Sequence, residues 1–194
     1  LAQMRADLDP IGENPKLDQM ILVGHSMGGL VSRMQTIESG DRFWNLLSKV
    51  PIEQIKASDD ERSKLAKCFY FHANPSIKRV ITLGTPHHGS NFADDYTRYV
   101  TRQLITLPEM MIELSNKLIR DNPDAFRNTE LITTATSIDS LAPNCQIFSA
   151  LNQADRSPHV LYHNVIGVVP KDTFIGRFSE VGDGVVGKAS ATLD

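Results

Sequence analysis

Gly24-His25-Ser26-Met27-Gly28 places a serine between two glycines, each two residues away. A serine hydroxyl becomes a useful nucleophile only when it is presented to a base and held clear of the backbone. A sharp turn from a strand into a helix does both, at the cost of strained backbone angles on the serine. The residues two before and two after then crowd together, so both positions call for the missing Cβ of glycine. Gly24 and Gly28 meet that requirement. The helix opening at this point aims backbone N–H groups and its positive dipole end at the serine. That makes the N–H of Met27 the first oxyanion donor. A phosphate-binding loop would carry Gly-Lys-Ser/Thr, and no Lys follows here. A glycine-rich strand–helix turn without chemistry is the other reading of the pattern; the catalytic one makes Ser26 a nucleophile.

Nucleophilic serine chemistry also needs a base and a group that orients the base. Gly182-Asp183-Gly184 follows an expected strand, and glycines on both sides let a loop turn one carboxylate inward. On spacing alone, an ordinary Asp-Gly turn into Val185-Val186 is the stronger reading. Glu180 and Asp172 are the other acids within reach of that role. Of the six histidines, His25 lies beside the serine in sequence and faces away from it. His87 and His88 follow the second strand, at the carboxyl end of the sheet, where folds of this kind place their sites. As a base, either would reach Ser26. As structural residues they would pin the loop through N–H bonds and packing, and this is the reading preferred here. His72, His159 and His163 read as loop or strand residues, and no histidine follows Asp183.

The elements that must position these groups alternate. Leu1, Met4, Arg5 and Leu8 suit the last turns of an amphipathic helix, closed by Pro10 and Gly12. Met20-Ile21-Leu22-Val23 suits a strand buried on both faces. A helix is predicted from Gly28 to about Ser39, with Leu30, Val31, Met34 and Ile37 inward and Gly40 as its stop. Residues 41–67 read as an insertion, in which Ser58 and Glu61 form a capping box for a charged helix toward Cys68. Lys78 to Leu83 is a second strand. The chain from Asn91 to Leu141 is predicted helical, with Met110, Met111, Leu114 and Leu118 on one face and Pro108 at the start. Val160 to Val169 is a third strand. Strand, helix, strand, helices, strand is the order of an α/β fold with parallel strands. Three such strands alone would leave the most buried one at an exposed edge.

Composition narrows the field. Of 194 residues, 41% are hydrophobic and 22% charged, with a formal net charge of −3. That balance lacks the basic face a nucleic-acid binder needs. No apolar run approaches the roughly 18 residues of a membrane span. Cys68 and Cys145 match no metal or redox spacing. Leu1 and the residues after it show neither an initiator Met nor a signal-peptide pattern, which suits a chain that begins mid-protein.

GHSMGGL, then ITLGTPHHGS, then GDGVV, in that order, resembles the lipase/esterase group of the α/β-hydrolases. The resemblance covers most of the chain. It implies Ser26 as nucleophile, Asp183 as triad acid, and a mostly parallel sheet flanked by helices. Lid-like helical insertions would fall at roughly 41–67 and 91–145. It implies an acyl-ester or lipid substrate and no cofactor or metal. The apolar groups Phe43, Trp44, Leu46, Leu47 and Leu107, Met110, Met111, Leu114 are each readable as lid or as core. In that family a histidine follows the acid, and a loop before the elbow supplies the second oxyanion donor. Neither is among these residues, so residues 1–194 are expected to be a partial, incomplete catalytic domain of a longer hydrolase, with little esterase activity alone. Two other functions stay open: an acyltransferase or deacylase using the same acyl-serine chemistry, and a non-catalytic hydrolase-like scaffold.

Overall fold

The computed structural model describes residues 1–89, 109–127, 129, 146–170 and 186–193. Among them the order is α1 (Ala2–Leu8), β1 (Met20–His25), α2 (Met27–Met34), β2 (Ile37–Glu38), α3 (Arg42–Leu47), α4 (Asp59–Phe69) and β3 (Ile77–Leu83). There follow α5 (Glu109–Asp121), α6 (Gln146–Gln153), β4 (Asp155–Arg156), β5 (Leu161–Val165) and α7 (Lys188–Ala191). Short 3-10 turns occupy Pro15–Asp18 and Ile52–Gln54.

The fold class is α/β. β1, β3 and β5 form a parallel sheet in the order β1-β3-β5, with Val23 opposite Ile81 and Ile81 opposite His163. Among the described residues, β1 and β5 stand at the edges and β3, the most buried strand, lies between them rather than at an edge. Parallel neighbours need crossovers, and the connection between β1 and β3 contains α2, α3 and α4. β2 and β4 make a separate antiparallel pair.

The sheet is covered unevenly. On one face Val80 is fully buried with Ile77 and Val160, and Met20, Leu22 and Tyr162 pack against them. On the other face Ile21 and Val23 of β1 are 58% and 63% exposed, and Leu161 and Val165 of β5 are also exposed. The continuous apolar run Met20–Val23 therefore alternates rather than being buried on both sides. Among the described residues, α2 packs on the Gly24 side of the sheet.

The first crossover helix is shorter than its pattern suggests. α2 stops at Met34, and Thr36 donates both its N–H and its hydroxyl to the Arg33 carbonyl at 2.8 Å. Ile37 leaves the helix to pair with Arg156, and Gly40 follows this strand at φ 49 instead of closing the helix. The buried face is also different. Leu30 and Ile37 point inward as expected, but Val31 is exposed and Arg33 is buried in its place.

Two further cores complete the packing. Leu30, Ile37, Phe43, Phe148 and Leu151 form one, joining α2, β2, α3 and α6. Trp44, Leu47, Ile52, Ile55, Leu65, Leu118 and Phe126 form the other, with Leu114 against it. Trp44 and Leu47 of α3 and the Leu114–Leu118 face of α5 thus cover each other, while Phe43 and Leu46 face the first core. α4 begins with the expected capping box: Glu61 N–H donates to Ser58 Oγ at 3.3 Å, and Ser58 N–H to Glu61 Oε2 at 2.8 Å. Lys117 of α5 donates to Glu61 Oε1 at 2.6 Å, tying the two helices. Ser58→Ala should cost about 1 kcal/mol and lower the melting temperature by about 3 °C. Calorimetry showing no change would mean that the box does not stabilise α4.

Candidate functional site

β1 runs into α2 through a single residue. Ser26 N–H donates to the Leu83 carbonyl at 3.0 Å, carrying the β1–β3 ladder one step past His25. Its own carbonyl accepts from Gly29 N–H at 3.0 Å, which starts the helix. To do both, Ser26 takes φ 53 and ψ −128, and among the described residues it is the one non-glycine with positive φ. Such a conformation costs a non-glycine residue on the order of 1–3 kcal/mol and persists only where its surroundings impose it. A serine at a helix N-cap ordinarily spends its hydroxyl on the N–H of the second or third helical residue. Ser26 makes no such cap, so its half-buried hydroxyl is left for other work.

The close approach at this turn involves Gly24, as the spacing suggested, but Gly29 in place of Gly28. A Cβ on Gly24 would lie 2.5 Å from the Gly28 carbonyl oxygen and 2.6 Å from the Gly29 Cα. A Cβ on Gly28 would meet nothing within 4 Å. Gly29 is the second tight position, because its Cβ would fall 1.9 Å from Thr85 Oγ1. So Gly24 lets the strand pass under the helix, and Gly29 lets the loop after β3 dock on it.

That loop, Gly84 to Gly89, is held from three sides. His87 is fully buried. Arg33 Nη1 donates to its Nδ1 at 3.1 Å, and a guanidinium can only donate, so the ring proton of neutral His87 sits on Nε2. Nε2–H then points to Thr82 Oγ1 at 3.3 Å, and Thr82 donates to Asn164 Oδ1 at 2.9 Å. Burial first, then the charge of Arg33, pushes the His87 pKa down to about 3. Asn152 of α6 accepts from Arg33 Nη1 at 3.0 Å and donates to the His87 carbonyl at 3.1 Å. On the third side, His88 N–H donates to the Ser190 carbonyl of α7 at 3.2 Å, Ser190 Oγ donates to the Gly89 carbonyl, and Asn164 Nδ2 donates to the Ala191 carbonyl at 2.5 Å.

Both ring nitrogens of His87 are thus engaged away from Ser26, as the pinning role requires. His88 shares its Nδ1 with Asn152 at 3.2 Å. His72 meets Glu38 at 2.6 Å and His163 meets Arg79 at 2.6 Å, both in the loop or strand settings expected. His25 is exposed at the end of β1. Asp183, with Gly182, Gly184, Glu180 and Asp172, lies outside the described residues, as do Cys145 and Pro108. Cys68 is an exposed free thiol.

Spacing did not point to Arg33, Thr82, Asn152 or Asn164. Arg33 falls seven residues after Ser26, two turns along the helix, and a charged residue there reads as solvent-facing. A cleft of about 390 Å³ lined by Glu38, Ile77, Lys78, Arg156 and His159 lies at the start of β3, the end of the sheet opposite Ser26. It holds charges of both signs and no residue with positive φ.

Among the described residues, no helix is long and apolar enough to cross a membrane. Compared with known proteins, the chain matches no family model and no curated relative.

Proposed function

We propose that the protein is a serine hydrolase of carboxylic esters, of the lipase/esterase type, acting through an acyl-serine intermediate on Ser26. The observation that carries this is the φ 53 conformation of Ser26 at a strand–helix junction, with its hydroxyl withheld from the helix cap. Strain at that one residue has no structural return, since a glycine would occupy the same angles more cheaply. In this reading Ser26 Oγ attacks the ester carbonyl and loses its proton to a base. Met27 N–H, at the first helical position, donates to the oxyanion. Asp183 orients the base. α7, which begins five residues after Asp183 in the sequence, packs against the Gly84–Gly89 loop through His88 N–H and the Ser190 carbonyl. The alcohol leaves with the proton, and water then releases the acid from the serine.

A non-catalytic scaffold is the second reading, favoured by His87 being neutral, buried and committed to Arg33 and Thr82. Acyl transfer to an alcohol other than water shares every step up to the acyl-serine.

A fluorophosphonate probe separates these. The Ser26 oxygen displaces fluoride from phosphorus, so a reactive elbow is read by mass without knowledge of the natural substrate. The intact protein should take up one probe on the peptide bearing Ser26, and Ser26→Ala should take up none. An intact, folded protein that stays unmodified would sink the hydrolase reading and leave the scaffold. If labelling succeeds, release of the acyl group from a p-nitrophenyl ester with and without added alcohols distinguishes hydrolysis from transfer.

A further inference from the structure

We infer that Arg33 is a positioning residue for Ser26: its buried guanidinium, clamped by Asn152, locks His87 and with it the loop that braces the elbow. This deepens the hydrolase reading and rests on it for its activity readout. Arg33 is 1% exposed, and among the described residues no carboxylate pairs with it. A buried charge without a counter-ion is costly unless its hydrogen bonds are satisfied. Here Nη1 bonds His87 Nδ1 and Asn152 Oδ1, Nη2 bonds the Leu151 carbonyl at 3.3 Å, and Nε is buried with no partner among the described residues. A leucine or methionine would fill the same space in the core between α2 and α6 without that penalty. What the guanidinium adds is a planar fork that addresses two elements at once, the loop through His87 and α6 through Asn152 and Leu151.

The clamp reaches Ser26 by a short path. Arg33 and Ser26 are at opposite ends of the same helix, α2. The loop that Arg33 holds through His87 also touches that helix near its start, where Thr85 lies over Gly29. The same loop leaves β3 at Leu83, whose carbonyl holds Ser26 N–H. Releasing His87 therefore loosens the wall against which the strained turn is pressed. From His87 the chain of bonds continues through Thr82 and Asn164 to the Ala191 carbonyl of α7. Elbow helix, loop and returning chain thus share one buried polar network.

The test uses the intact protein with Arg33→Lys, Arg33→Gln and Asn152→Ala, and Leu65→Ala from the separate Trp44 core as a stability control. Asn152 sits at the surface with its amide turned inward, so its variant opens the clamp with little risk to folding. Lysine keeps the charge but not the fork, and should fail to rescue. Three readouts are followed: the ¹⁵N signature of the His87 ring, the Ser26 and Met27 amide shifts, and the rate of fluorophosphonate labelling. All three clamp variants should lose the Nε2–H signature, move both amide shifts, and label about 10- to 100-fold more slowly. Leu65→Ala should change none of these. Clamp variants that keep the wild-type ring signature and amide shifts would overturn the inference, as would slowing no greater than that of the control. If wild-type protein takes no label yet the Ser26 and Met27 shifts respond to Arg33 and Asn152, the coupling stands and the hydrolase reading falls.

Discussion

Gly24→Ala should abolish labelling of Ser26 and destabilise the protein by about 3 kcal/mol or more, the upper range for overpacking a closed site. The new methyl would stand 2.5 Å from the Gly28 carbonyl oxygen and 2.6 Å from two neighbouring carbons. All three are backbone atoms, so no side-chain rotation relieves the clash. The helix start has to move off the strand, and the angles of Ser26 go with it. Gly29→Ala should behave similarly, because Thr85 is short and buried and cannot swing away. Shortening Thr85 to glycine in that background removes the atoms that collide and should recover part of the loss. Gly28→Ala is the contrast. Its methyl meets nothing within 4 Å, and Ala exceeds Gly in helix propensity, so the variant should be neutral or more stable by about 0.5–1 kcal/mol. Thermal unfolding and probe labelling of the three variants decide the matter. Equal damage from Gly28→Ala and Gly24→Ala would mean that the turn is not built by this one-sided contact.

Acidification should destabilise the protein well before its carboxylates protonate. His87 has its folded pKa lowered to about 3 from the model-peptide value of 6.5, chiefly by burial and by the charge of Arg33. Between those two values the unfolded chain binds a proton that the folded chain refuses. Stability from this group is therefore complete above pH 6.5 and falls as pH falls, by at most about 1.4 kcal/mol per pH unit. The carboxylates with lowered pKa, Asp18, Glu38 and Glu61, lose their contributions only as pH drops below the ordinary carboxylate range. From pH 6.5 to about pH 5 the slope should come from His87, giving a loss of up to about 2 kcal/mol. Urea unfolding of wild type and His87→Gln across that range checks it. The variant is less stable at neutral pH but should show a flatter profile. Parallel profiles would show that His87 is not held neutral by its burial.

Much of the site was legible as local pattern. Gly-x-Ser-x-Gly after Ile-Leu-Val carries its own geometry, since a strand meeting a helix over one residue leaves that residue few backbone angles. The capping box at Ser58 and Glu61 was equally readable, being four consecutive residues satisfying each other. The three parallel strands followed from their apolar runs and the crossover length between them. Patterns of this kind depend on atoms a few residues apart in the chain, and the chain itself brings them together.

Tertiary structure alone decided which glycine the elbow cannot do without. Thr85, which excludes a methyl at Gly29, is 56 residues further along the chain. It likewise decided that Arg33 turns inward while Val31 faces out. Helical periodicity ranks residues by polarity and cannot anticipate that His87, Asn152 and the Leu151 carbonyl converge on one guanidinium. The exposure of Ile21 and Val23 is of the same kind, because an apolar run records that a strand can be covered and not which helix lies over it. Near neighbours set the strain at Ser26, and distant ones, arriving through the sheet, determine what that strain is held against.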